Sequence, residues 1–142
     1  MAAPILVGDC SENLPLNRVY QGKIILPDFA GRDRAFAKHR TKITEEMRTG
    51  PNFAGHYAIV EIGCGSSCRF AFLGDVATGK VHDFPYGGEE YYLLQMSYSV
   101  KSNYVEVKWI DGDYCFRDSV HWNGVAFTSS GRSVVGAREM CE

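Results

Sequence analysis

The hydrophobic pattern of this chain changes character near residue 50. Downstream of it, apolar side chains recur at every second position. Val105, Val107 and Trp109 alternate with Glu106 and Lys108 across residues 103–110, the signature of a strand with one buried and one wet face. Ala58, Val60 and Ile62 share one side of a strand over 56–63. Further strands are predicted over 69–76, 80–84, 91–99, 113–122 and 125–128, with 133–137 as an optional last addition. Asp111-Gly112 and Asn123-Gly124 are two-residue hairpin signals, and Ala77-Thr78-Gly79 is a third turn. Short turns between successive strands make antiparallel neighbours.

Upstream the spacing is helical. Phe29, Phe36, Ile43 and Met47 fall on one face of a helix predicted over 28–49. Asp28 or Asp33 serves as the cap and Gly50-Pro51 as the stop. Residues 1–27 read as an irregular arm punctuated by Pro4, Pro15 and Pro27, with a short strand at 23–26. The expectation is a single domain over 1–142: arm 1–27, helix 28–49, β-sheet 50–142. Its class is α+β, one N-terminal helix packed on a curved, mainly antiparallel β-meander of six to seven strands, burying Phe36, Ile43 and Met47.

Size and charge narrow the function classes. The chain has 142 residues, 45% hydrophobic and 13% aromatic, with 15 Gly. The formal net charge of −2 gives no electrostatic drive toward nucleic acid. No apolar run approaches the ~18 residues of a membrane span. The charge is uneven: six Lys and Arg against three acids lie between Arg32 and Arg48, so the remainder is acidic and suits a basic partner. The basic stretch itself reads as the solvated face of the helix.

Five cysteines in a chain this short point to an oxidising compartment. Cys64 and Cys68 flank Gly65-Ser66-Ser67, a turn able to bring both sulfurs together. A bond there closes a very short loop and acts locally, by stiffening a hairpin tip. Cys10 with Cys141 would close nearly the whole chain, which leaves Cys115 as an odd thiol buried in a strand. That pairing is one of several open to the five. The start, Met-Ala-Ala-Pro, has neither a basic n-region nor an apolar h-region. Cysteine usage favours a mature exported form whose signal has been replaced by a start Met.

Catalytic motifs are thin. There is no Gly-x-Ser-x-Gly elbow, no P-loop and no dinucleotide fingerprint. A cysteine nucleophile would need a positive or helix-N-terminal setting, whereas the segment after Cys68 is strand-like. Zinc would need Cys64 and Cys68 with two of His56, His82, His121 or Cys115, but only one short-spaced pair exists. Glu89-Glu90 and Asp111 with Asp113 read as solvated turns. His56, in Pro51-Asn52-Phe53-Ala54-Gly55-His56-Tyr57, opens a strand, where a histidine is more often structural. Catalysis, cofactor and metal are therefore not expected.

Two loops look suited to binding. Tyr86, Glu89, Glu90, Tyr91 and Tyr92 combine tyrosines and acids around the pair Gly87-Gly88. Ser66 and Ser67, clamped between Cys64 and Cys68, make a small rigid protrusion that enters a cleft at little entropic cost.

Residues 51–57, then Gly63-Cys64-Gly65-x-x-Cys68, then Asp75-x-x-Thr78-Gly79-Lys80-Val81 resemble a set of small exported bacterial proteins. The resemblance covers about residues 50–84 and extends weakly to Cys115…Trp122-Asn123-Gly124. Among such proteins the chain looks like a type VI secretion amidase immunity protein. That likeness implies a periplasmic address and a cognate peptidoglycan hydrolase effector as partner, bound and occluded without catalysis. Rival readings are a small envelope metal- or thiol-dependent enzyme using Cys64, Cys68 and His56, and a peptide- or carbohydrate-binding module using the tyrosines. Exposed strand edges also admit a homodimer.

Overall fold

A computed structural model describes residues 18–142. The hairpin turns cluster the strands into two antiparallel sheets rather than one continuous meander, eight strands among the described residues. The first sheet holds β1 (Tyr57–Gly63), β2 (Arg69–Asp75) and β3 (Val81–Asp83), in that order. Residues 84–91 cross to the second sheet. It is built from β4 (Tyr92–Ser97), β5 (Tyr104–Asp111), β6 (Tyr114–Trp122), β7 (Phe127–Ser129) and β8 (Ser133–Ala137). β7 and β8 both pair with β6.

Three layers result, because the first sheet is apolar on both faces. Ala58 and Val60 of β1 turn toward the helix, where they meet Ile43, Met47, Val76 and Val81. Tyr57 and Ile59, one residue out of phase, face the second sheet and join Val105, Val107, Trp109, Val120 and Trp122. The alternation expected over 103–110 is thus realised in β5, with its apolar side in the shared core. At about 25 cal/mol per Å², each of these buried side chains contributes roughly 1.5–3 kcal/mol.

The helix is shorter than its spacing predicts. Only Arg40–Arg48 (α1) is α-helical, preceded by a 3₁₀ turn at Arg34–His39. Neither Asp28 nor Asp33 caps it through a side-chain bond. The carboxylate of Asp33 is committed elsewhere: Oδ1 accepts the Val81 N–H at 3.1 Å, and Oδ2 accepts the Asp28 N–H at 2.9 Å and the Arg32 guanidinium. This buried group therefore pins the helix approach to β3. The expected strand at 23–26 does not form; Ile25 N–H makes one ladder-like bond to Val76 O at 2.8 Å.

Close approach explains one glycine. A Cβ on Gly74 of β2 would stand 2.6 Å from Met47 Sδ, so the helix rests directly on bare backbone there.

Cys64 and Cys68 are bonded across the β1–β2 turn, with Cα atoms 5.0 Å apart. Cys141 does not pair with Cys10. It is bonded to Cys115, Cα to Cα 5.5 Å, so Cys115 is not an odd thiol. The reason is non-local: β8 pairs back on β6 with Cys115 opposite Gly136, and the turn at Arg138–Met140 then lays Cys141 over β6. Cys10 lies outside the described residues.

Candidate functional site

The resemblance motif around residue 52 is first of all a folding device. Asn52 Oδ1 accepts the Ile59 N–H at 2.8 Å and its Nδ2 donates to Ile59 O, which fixes the entry into β1. Ala54 and Gly55 both take positive φ, 47° and 85°, and their N–H groups donate to Ser102 O and Val100 O. The chain is thereby turned so that His56 points inward.

At the far end of β1 stands the clasp. Cys64 N–H donates to Cys68 O at 3.1 Å and Cys68 N–H to Gly65 O at 3.2 Å, closing a tight loop around the disulfide. Gly65 has φ 127° and Ser67 φ 62°, so the bond holds a left-handed serine in place. Ser66 is exposed; Ser67 is partly covered.

The two loops singled out in the sequence meet here. A β-bulge between Tyr92 and Gln95 interrupts the pairing of β4 with β5 and gives Leu93 a φ of 57°. The Leu93 N–H donates to Ser67 O at 3.0 Å, and Gly88 N–H donates to Arg69 O at 2.9 Å. Clasp and tyrosine loop therefore form one continuous rim. Beside it runs a groove of about 600 Å³ lined by Glu61, Ser67, Arg69, Leu93, Gln95 and Cys141. Glu61 is held by Arg69 at 3.1 Å and by the Tyr98 hydroxyl at 2.6 Å.

The tyrosines divide. The Tyr86 ring lies against Trp109 and Tyr91, with centroids 4.9 and 5.0 Å away, and its hydroxyl donates to Asp118 at 2.5 Å. Burial, together with the Asp118 carboxylate, pushes that phenol up to about 12. Tyr91 packs edge-on against Trp109. Both rings face the core, which leaves Glu89, Glu90 and Tyr92 as the exposed groups of the loop. Asp118 also accepts from the Ser129 hydroxyl. Burial raises its carboxyl, but the bonds from Ser129, Tyr86 and two backbone N–H groups outweigh this and leave it below 3.8.

A second polar cluster lies at the start of β1. His56 Nδ1 is 2.8 Å from Asp75 Oδ1, and both side chains are buried. A carboxylate can only accept, so Nδ1 carries the proton. Register places them: Tyr57 is opposite Asp75 in the β1–β2 ladder, and His56 is one residue earlier. Asp75 Oδ1 also accepts the Ala77 N–H at 2.9 Å, which shapes the turn at 77–79. The Asp75-x-x-Thr78-Gly79-Lys80 run is visible in the sequence, but nothing local ties it to His56.

A thiol or metal centre of Cys64, Cys68 and His56 is not assembled. β1 separates His56 from the clasp by more than about 20 Å at ~3.3 Å per residue. Among the described residues no group of three His, Cys, Asp or Glu side chains is placed to hold a metal ion. No described helix is long and apolar enough to cross a membrane. No family model, curated protein or solved structure matches this chain.

Proposed function

We propose that this chain is a non-catalytic binding protein of the periplasm that occludes the active site of a peptidoglycan amidase, in the manner of a type VI secretion immunity protein. The observation that carries this reading is the clasp. Ser66 is presented on a loop closed by a disulfide and tied to Leu93, so the tip is already ordered before it meets a partner. Pre-ordering removes the cost of freezing a loop on association, about 0.5–1.5 kcal/mol for each mobile side chain. Two disulfides favour an oxidising address. Glu89 and Glu90 on the same rim favour a basic cleft lip.

Occlusion works by placement. The tip fills the effector's cleft and denies substrate access to its nucleophile, while Tyr92 and the two acids contact the cleft edge. The test is co-purification with, and inhibition of, the cell-wall hydrolase encoded by the adjacent gene. Inhibition that is lost in Ser66→Trp supports the tip. Inhibition that survives Ser66→Trp but fails in Glu89→Lys/Glu90→Lys moves the contact to the acidic part of the rim. Absence of binding to any hydrolase encoded nearby overturns the proposal.

A further inference from the structure

Between the start of β1, the 77–80 turn and the 123–124 turn lies a small cavity of about 150 Å³. It is about 20 Å from the clasp and shares no residue with it, so its chemistry is independent of the inhibitor reading. Asp75, Tyr57 and His82 line its inner part, and Thr78, Lys80 and Arg32 its mouth.

Its polar groups are incompletely used. Asp75 is only 6% exposed; Oδ1 is taken by His56 and Ala77, and no described residue donates to Oδ2. The Trp122 ring stands edge-on between two lining side chains, Tyr57 at 5.3 Å and His82 at 4.9 Å. Its buried Nε1–H is turned to the Tyr57 hydroxyl, and Trp122 itself does not line the cavity. Lys80 is exposed and forms no ion pair with a described residue, whereas Arg32 shares its charge with Asp33. A buried carboxylate oxygen that no protein donor claims, at the wall of a polar cavity, is a place where a cationic group can bind.

We infer that this cavity binds a small zwitterion of α-amino-acid size, its ammonium on Asp75 Oδ2 and its carboxylate on Lys80, with His82 as a further donor. The volume is that of about five waters at ~30 Å³ each, which fits a ligand of five or six heavy atoms. One acid inside and two cations at the mouth match a ligand that carries both charges. A simple anion would leave Asp75 unsatisfied and facing it. Burial and the nearby Lys80 hold the His82 ring below its usual 6.5, so near neutral pH it donates one N–H without adding a full charge.

The experiment is a titration of the intact protein with alanine, acetate and methylammonium, followed by the ¹H–¹⁵N signal of the Trp122 indole, assigned through Trp122→Phe. Alanine should shift that signal and bind at least tenfold tighter than either single-charge probe. Lys80→Ala, an exposed change that leaves the melting temperature in place, should weaken alanine about tenfold and leave methylammonium unaffected. Equal binding of acetate and alanine overturns the zwitterion. Alanine affinity unchanged in Lys80→Ala, or no shift with any probe up to 50 mM, overturns the site.

Discussion

Removing the Cys115–Cys141 bond should destabilise the protein more than removing the clasp. Loop closure sets the scale. Cys115 and Cys141 are 26 residues apart, and the chain-entropy relation gives about 3.5 kcal/mol at 25 °C for a loop of that size. Cys64 and Cys68 are four apart, for which the same relation gives about 2 kcal/mol. Burial adds to the difference, since Cys115 and Cys141 are 0% and 4% exposed and sit in a small cluster with Ile110, while Cys64 lies at the surface. The assay is thermal unfolding of Cys115→Ala/Cys141→Ala and of Cys64→Ala/Cys68→Ala beside the parent. Fluorescence reports it, because Trp109 and Trp122 are each 1% exposed. At about 3–4 °C per kcal/mol for a chain of this size, the first variant should melt about 10–14 °C below the parent and the second about 6–8 °C below. Stepwise reduction gives an independent check: the clasp should release its two thiols first. If the clasp variant loses as much stability as the other, or the buried bond reduces first, loop size and burial do not control the stability here.

Other consequences are as direct. Gly74→Ala should cost about 1–3 kcal/mol as Met47 is pushed aside, and Met47→Ala in the same chain should relieve part of that strain. Gly79→Ala should be worse and without such relief, because its φ is 86° and the new Cβ would meet the Leu26 carbonyl, which is backbone; melting temperatures in the reverse order would refute this. Asp33→Ala should cost about 2–4 kcal/mol in urea unfolding by leaving the Val81 and Asp28 N–H groups unpaired. Burial raises the Asp33 carboxyl, but the bonds from Arg32, Asp28 and Val81 outweigh it, and Asp118 behaves alike. Both therefore titrate lower in the fold than unfolded, so their stabilisation is present above about pH 4 and is lost as pH falls below 3.8. Tyr57 is raised to about 12, chiefly by burial, and Tyr86 likewise; their contribution is whole below pH 10 and is lost as pH climbs toward 12, which a stability profile over pH 8–12 should show.

Local patterning reaches far into this fold. The clean alternation over 103–110 and the Asp111-Gly112 turn locate β5 and the hairpin after it to within a residue, because one face of β5 is wet and one is core. The short clasp is legible for the same reason: three small residues between two cysteines decide the matter locally. What escapes depends on contacts distant in sequence. The break into two sheets rests on where the chain crosses at 84–91, and the Cys115–Cys141 pairing rests on β8 skipping β7 to reach β6. The helix begins late because the carboxylate suited to cap it is held by β3. Tyr86 and Tyr91 look like interface residues by composition, but Trp109 of β5 draws both rings inward. Ser67 and Leu93 are joined only because a bulge turns the Leu93 N–H away from β5.

Both described disulfides close within a single sheet: Cys64–Cys68 in the first, Cys115–Cys141 in the second. Where the two sheets face each other, then, side-chain packing and a few hydrogen bonds hold them together. Under mechanical load applied through Tyr20 and Glu142, that seam takes the strain first. The sheets part and the linker at 84–91 straightens, to about 25–30 Å at ~3.4 Å per residue. The 26-residue span behind Cys115 and Cys141 stays short until the bond is reduced. Stretched in this way, the molecule should lengthen in two unequal steps, and a reductant should change only the total extension.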